Sequence, residues 1–394
     1  MEVRRRRAAI PANKSLEQQI IDGAETDSGL LVEQIGPECG DISTDRLIPS
    51  GVTLLNCACS DNPFGAFVLG TINTIPGKSA SGKTELMLTM LASCAVDKRF
   101  DDYELILDDA ERTMSFNLDY LFPRLSTRLA APAYDGDEPI YSNTIQDLEN
   151  NILLRCIGKK SRNKPFIYVL DSLDSLSSTQ ELEREYKNAL KMAKSDEAVK
   201  EIQKSYGTEK ARIIGAVFRM INGRIKDTDG AFFVVQQTRQ RINKNFGETD
   251  WITSGGEAPF FYSFHRVYLD SGKNLTGESM GVKHKIGGRT HCQVVKNKLT
   301  GKRRSIDFDI YEDLGIDDVC SCVDFLKFTK HWPTVGAYME APGILGRGEK
   351  MYRSEIISLI EREGLEVQTQ TIVGQVWNQI EKDIRLHDRK RRFV

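Results

Sequence analysis

Gly77-Lys78-Ser79-Ala80-Ser81-Gly82-Lys83-Thr84 sets four residues between two glycines and follows them with Lys-Thr, the spacing of a P-loop. A β-branched run, Thr71 to Ile75, leads in as a strand. Lys83 to Ala95 leads out as a helix with Leu86, Met87, Met90, Leu91 and Cys94 on one face. Small residues let the backbone wrap phosphate oxygens, so that successive N–H groups and the positive end of the helix meet the anion. Lys83 then reaches the β and γ phosphates and Thr84 holds Mg2+, with Glu85 next to them at the start of the helix. The stretch points to ATP or another nucleoside triphosphate, and leaves open what the energy drives.

Working outward, short apolar runs ending in polar residues recur at Tyr103–Asp108, Pro165–Asp171 and Ala231–Gln237. Such runs are strands buried on both faces, so the fold class is α/β, a mostly parallel twisted sheet covered by helices. Ligands in such sheets bind beyond the carboxyl ends of the strands. Suspicion therefore falls on Asp108, Asp109 and Glu111, on Asp171 and Ser172, and on Gln236 and Gln237. Val169-Leu-Asp171-Ser172 is a Walker B pattern, whose aspartate holds Mg2+ because a hard cation wants oxygen ligands. Hydrolysis also needs a group to orient or deprotonate water, a role for which Glu111, Asp108 and Asp109 compete.

Lys210 to Lys226 places Ile213, Ile214, Val217, Phe218, Ile221 and Ile225 on one helical face, which should pack on the sheet. Between Glu181 and Lys204 half the residues are charged, marking an exposed helical insert at about 180–205. Thr238 to Pro259 reads as a polar, glycine-containing loop. Strands return at Arg266–Asp270, His291–Val295 and Ser305–Ile310. Helices follow at Asp317–Lys327, Tyr352–Gly364 and Gln370–Ile384, a small C-terminal helical domain ending in the basic Arg389–Arg392. The domain reading is an N-terminal arm or cap at 1–44 with one helical candidate at Ser15–Gly23, an ATPase core at 45–312, and the helical domain at 313–394.

The 394 residues are 28% charged with a net charge of -2, so no global field draws the chain to nucleic acid and any such contact needs local basic patches. No apolar run approaches the roughly 20 residues that span a bilayer. Met1 to Arg7 carries four arginines but no apolar segment follows, so no secretory signal is expected. The eight cysteines lack Cys-x-x-Cys spacing, which fits reduced thiols of a cytoplasmic protein better than a zinc site.

In order, Gly77–Thr84, Leu107-Asp-Asp-Ala-Glu111, Val169-Leu-Asp-Ser172, Val234-Val-Gln-Gln-Thr-Arg239, Ser254-Gly-Gly-Glu-Ala258 and Val294-Val-Lys-Asn-Lys298 resemble the RecA family of DNA strand-exchange ATPases, in register from about residue 45 to 310. The last three are its most specific pieces. The terminal helices and charged insert look like a diverged, bacteriophage-type branch.

The resemblance implies a RecA-like P-loop ATPase core, ATP with Mg2+, single- and double-stranded DNA as partners, and self-assembly into a helical filament. By position, it makes Glu111 the water-activating residue and Gln237 the γ-phosphate sensor coupled to DNA. Lys296 and Lys298 become cations that reach the neighbouring subunit's ATP. The loop at Arg239–Gly247 resembles the family's second DNA-binding loop, with Arg239, Arg241 and Lys244 for phosphates, Phe246 as a wedge or stacking face, and Gly255 and Gly256 as hinges. The first DNA-binding loop should fall near Ser205–Arg212, without a sharp match. Three departures stand out: Lys-Ser-Ala-Ser inside the P-loop with Glu85 after it, no adenine-stacking aromatic in register (Phe116 and Tyr120 are candidates), and no recognisable N-terminal oligomerisation motif. Two other functions share the nucleotide motifs, a ring helicase or translocase and a regulatory protein that binds ATP without DNA.

Overall fold

The computed structural model describes residues 43–114, 116–157, 164–183, 206–242, 249–253 and 255–385. The helical candidate at Ser15–Gly23, most of the N-terminal arm, the bulk of the charged insert, Lys244, Phe246 and Arg389–Arg392 lie outside the described residues.

Seventeen strands are described: β1 (Leu47–Ile48), β2 (Phe67–Val68), β3 (Ile72–Gly77), β4 (Glu104–Asp109), β5 (Leu129–Ala130), β6 (Ala133–Asp135), β7 (Glu138–Ile140), β8 (Phe166–Asp171), β9 (Ala231–Ile242), β10 (Thr249–Thr253), β11 (His265–Ser279), β12 (Val282–Asn297), β13 (Ser305–Tyr311), β14 (Gly315–Ile316), β15 (Thr334–Val335), β16 (Tyr338–Met339) and β17 (Met351–Tyr352). The main helices are α1 (Thr53–Ser60), α2 (Lys83–Val96), α3 (Ile145–Ile157), α4 (Tyr206–Ile225), α5 (Asp318–Phe328), α6 (Arg353–Glu363) and α7 (Glu366–Asp383).

One ten-stranded sheet runs in the order β14-β13-β12-β11-β3-β9-β8-β4-β5, with β10 hairpinned onto β9. From β11 to β5 every ladder is parallel, and the β12–β14 flank and β10 are antiparallel. The central strands β3 and β8, and β9 as far as Gln236, are buried along their length because both faces are covered. Phe166, Tyr168, Leu170, Phe232 and Val234 pack with Ile145, Leu148 and Ile152 of α3 and with Ile214, Val217, Phe218, Ile221 and Ile225 of α4. Alternate residues Ile167, Val169, Phe233 and Val235 point the other way and are equally buried. On α2, Leu86, Met87, Met90, Leu91 and Cys94 are buried, and the helix touches β3, β4 and β8. Each such side chain contributes about 1.5–3 kcal/mol, which fixes the β3–α2 junction on which the phosphate loop depends.

Two stretches differ from the sequence reading. Within Thr238–Pro259, read as loop, Thr238–Ile242 continues β9 and Thr249–Thr253 returns as β10, pairing Thr238 with Thr253 and Ile242 with Thr249. Its β-branched residues suit an extended backbone. Residues 206–212, where the first DNA-binding loop was expected, already belong to α4.

The described residues group into two compact units, one reaching to Cys322 and one from Val323 onward. In the second, Trp332 is buried with its indole N–H on Pro342 O at 3.2 Å, and Phe325 meets Trp377 with ring centroids 6.0 Å apart. Arg353 holds Asp324 through two bonds at 2.7 and 2.9 Å. The small antiparallel sheet β15-β16-β17 accompanies the helices. Among the described residues, no helix is long and apolar enough to cross a membrane.

Candidate nucleotide and DNA-coupling site

The phosphate loop leaves β3 at Gly77 and enters α2 at Lys83. A Cβ on Gly77 would lie 2.6 Å from Leu269 O, and one on Gly82, whose φ is +86°, would overlap Ile310 Cδ1. Only glycine fits either place. Ser81 Oγ donates to Lys78 O at 2.8 Å and Thr290 Oγ1 donates to Ser81 O at 3.2 Å, so the loop is tied both to itself and to β12. Lys78, a bulky residue within the loop, is placed by Asp270 of β11, 2.8 Å from its ammonium, which holds its pKa above the usual lysine value.

Lys83 is buried, and its Nζ donates to Lys78 O at 2.5 Å. Burial lowers its pKa, against the opposing pull of Asp171 and Glu111. Thr84 Oγ1 donates to Asp171 Oδ2 at 2.5 Å, joining the first turn of α2 to the end of β8. Burial pushes the Asp171 carboxyl up to about 6, helped by Glu111 and Asp109 and opposed by Thr84. A buried carboxylate paired with a hydroxyl is an oxygen donor set of the kind Mg2+ takes, and the glycine-shaped loop with a buried lysine fits a polyphosphate. Ser79 and Ala80 lie between these anchors, and Glu85 sits in the first turn of α2.

The three acidic competitors at the end of β4 and just beyond it separate by direction. Asp108 is fully buried, taking the Tyr168 hydroxyl at 2.6 Å and the Ser142 N–H at 2.8 Å, and burial raises its pKa. Asp109 accepts the N–H groups of Thr113 and Met114 at 3.4 and 3.1 Å. Glu111 instead turns toward β8 and β9. Its N–H donates to Asp171 O at 3.2 Å, while its Oε1 accepts from Ser172 Oγ at 2.5 Å and from Gln237 Nε2 at 3.1 Å. Gln237 is the last β9 residue paired with β3, opposite Gly77, and the chain runs from it directly into the β9–β10 hairpin.

Arg239 and Arg241 lie on the hairpin's outgoing strand, and Gly255 and Gly256 follow its return with φ of +89° and +69°. Gly255 is tightly seated, since a Cβ there would come within 3.0 Å of Leu173 Cδ2.

Lys296 and Lys298 are not brought to this chain's own phosphate loop. Lys298 N–H donates to Phe264 O, and Phe264 N–H donates to Ile72 O, so Lys298 lies level with the first residue of β3. The loop begins at the last residue of that six-residue strand, ~17 Å further along at about 3.3 Å per residue. Asn297 between the lysines is buried, its Nδ2 donating to Cys59 O at 2.8 Å, which sends its two neighbours the other way. The Lys296 ammonium donates to Phe260 O and Phe261 O at 2.6 and 2.9 Å and sits 4.9 Å from the Phe260 ring centre. Burial, with Lys298 and Arg266 nearby, lowers its pKa to about 8; Lys298 is lowered by burial and by Lys226.

Beside the phosphate loop lies a cavity of about 510 Å³ whose walls include Phe116, Phe122, Gly287, Ile310 and Tyr311. Its wall is mixed, with the aromatic and apolar side chains of Phe116, Phe122 and Ile310 beside the polar Asn274, Lys285, Arg289 and Glu312, and the apolar part suits the face of a nucleobase. Phe116 belongs to it, whereas Tyr120 is 67% exposed and is not part of the wall. The β12–β13 side of this wall escaped the sequence reading. The paired glycines Gly287-Gly288 inside a strand are the available signal, because glycine there marks close backbone approach.

The model of the RecA N-terminal domain family matches residues 168–317. The chain is 26% identical over 318 residues to the protein named Protein RecA from Leifsonia xyli subsp. xyli, covering 79% of this chain and 77% of that one. To Protein RecA of Methylococcus capsulatus it is 27% identical over 293 residues, 72% of each chain. To Protein RecA of Borrelia hermsii it is 27% identical over 322 residues, 80% of this chain and 77% of the relative.

Proposed function

We propose, from the match to the RecA N-terminal domain family and the similarity to the three RecA proteins, that the chain is an ATP-dependent DNA recombinase of the RecA family. In this reading it assembles on single-stranded DNA as a filament, pairs that strand with homologous duplex, exchanges strands and releases DNA after ATP hydrolysis. The observation that carries the proposal is the continuity of Glu111, Gln237 and the β9–β10 hairpin. One residue touches the candidate water-activating carboxylate and opens the basic hairpin, so a change at the nucleotide can be felt at DNA.

The roles divide accordingly. The Gly77–Gly82 backbone and Lys83 bind the phosphates, and Phe116 and its neighbours take the base. Thr84 and Asp171 would hold Mg2+, which would supply charge neutralisation for the phosphates. Glu111 accepts the proton of the attacking water, aided by general-base geometry once Gln237 moves off it. Gln237 senses the γ-phosphate and passes its state to Arg239 and Arg241, with Lys244, Phe246, Gly255 and Gly256 completing the DNA loop. Lys296 and Lys298 serve the phosphates of a second copy, since the span of β3 keeps them from their own. The exposure of Phe260 (47%) and Phe261 (68%) beside Lys296 supports a subunit contact at that place.

The test is strand exchange by purified protein with circular single-stranded DNA, homologous linear duplex and ATP. Joint molecules that need ATP and homology support the proposal. Their absence, under conditions where the protein binds single-stranded DNA, would sink it. Closed six-membered rings on DNA, rather than open helical filaments, would favour a helicase or translocase.

A further inference from the structure

Asp174 is absent from every motif read above, yet it stands where the nucleotide site meets the hairpin. It lies in a 3-10 turn, Leu173–Ser175, directly after β8 and Ser172. Pairing between β8 and β9 runs as far as Leu170 and Val234. Past that point the Asp174 carboxylate takes over as acceptor: its Oδ2 receives the main-chain N–H of Gln237 at 2.7 Å. A charged acceptor on a backbone N–H makes a stronger bond than the carbonyl of a strand partner.

The turn is itself held from two sides. Lys210 Nζ, on α4, donates to Asp174 O at 3.3 Å, and Leu173 is buried against the place where Gly255 brings the chain back from the hairpin. Both ends of the hairpin are thus referred to one short turn. The outgoing end is gripped by a carboxylate and the returning end by a leucine.

The position at which Asp174 fixes Gln237 has a chemical consequence. From there the Gln237 side chain reaches Glu111 Oε1, the same oxygen that already takes the Ser172 hydroxyl. A carboxylate oxygen that already accepts two hydrogen bonds has its lone pairs engaged. With two donors on that one oxygen, Glu111 Oε1 is not open to an attacking water while Gln237 stays in place.

We infer that Asp174 is a positioning residue that clamps the root of the hairpin, keeping Gln237 on Glu111 and setting a low rate of ATP hydrolysis until DNA on the hairpin draws the strand away. This rests on the recombinase reading of the same site. Loss of a merely structural residue slows an enzyme. Loss of this clamp speeds the reaction without DNA.

The experiment compares Asp174→Ala and Asp174→Asn with the full wild-type chain, measuring steady-state ATP hydrolysis with and without single-stranded DNA and amide hydrogen exchange at Gln237. Asp174→Ala is expected to expose the Gln237 N–H to faster exchange and to raise DNA-free kcat by roughly tenfold, the scale of one charge-assisted hydrogen bond. KM for ATP should stay within about twofold, as for a change outside ground-state binding, and stimulation by DNA should shrink. Asp174→Asn keeps an acceptor oxygen and should fall between the two, which also covers failure of the alanine variant to fold. DNA-free kcat at or below wild type in the variants, or unchanged exchange at Gln237 in Asp174→Ala, would overturn the inference and leave the recombinase reading intact. A wild-type protein that hydrolyses no ATP with or without DNA would overturn that reading and the inference with it.

Discussion

Gln237 Nε2 lies 3.1 Å from Glu111 Oε1, although 126 positions of sequence separate the two residues. The contact exists because β4 and β9 flank β8 in the sheet and all three end at the same edge. Glu111→Gln removes the proposed proton acceptor while keeping the size of the side chain. It should lower kcat for DNA-stimulated hydrolysis by about 10²–10⁴-fold, with ATP binding, followed by a fluorescent analogue, close to wild type.

Gly82→Ala tests the phosphate loop as a steric construction. The new methyl must fit where Ile310 Cδ1 already is, at a φ of +86° that an L residue rarely adopts. Destabilisation on the order of 1–3 kcal/mol is expected in urea unfolding, together with loss of nucleotide binding.

The cavity proposed to take the base gives a separate prediction. Phe116→Ala should raise KM for ATP by about tenfold, the scale of one aromatic stacking contact, with a much smaller change in kcat. Tyr120→Ala should leave both unchanged, because Tyr120 is exposed and outside the cavity wall.

These sites differ in how visibly they are written in the sequence. The β3–α2 unit and the apolar face of α4 follow from periodicity, because burial on one or both faces leaves an alternating or helical pattern, as in Ile214, Val217, Phe218 and Ile221. The far half of the β11–β12 hairpin leaves no such pattern. Ser271–Ser279 is mostly exposed and held by backbone pairing to β12, so its side chains carry little record of the strand. Asp270 and Asp174 were hidden for another reason. Each acts on a residue far away in sequence, Lys78 and Gln237 respectively, and only the sheet order brings the partners together.

Lys296 makes the pH dependence specific. Burial and the cations Lys298 and Arg266 lower its pKa from 10.5 to about 8, so the folded subunit binds fewer protons than the unfolded chain between those values. The sign follows: the stability of the isolated subunit gains from Lys296 as pH rises through that window, while the positive charge offered to a neighbour is lost. ATP hydrolysis that depends on assembly should therefore fall between pH 7 and 9 (roughly one unit either side of that pKa). Lys296→Arg, which stays charged, should flatten the profile even if its rate is lower.

The central claim is that a nucleotide site is completed by lysines from a second copy of the chain. Its most direct test mixes two inactive proteins, Lys83→Ala, which lacks a working phosphate loop but keeps Lys296 and Lys298, and the double variant Lys296→Ala/Lys298→Ala, which keeps the loop. On single-stranded DNA with ATP, each alone should be inactive and the mixture should regain hydrolysis, because some interfaces then pair an intact loop with intact lysines. A mixture as inactive as its components, with both proteins bound to the same DNA, would contradict the shared site.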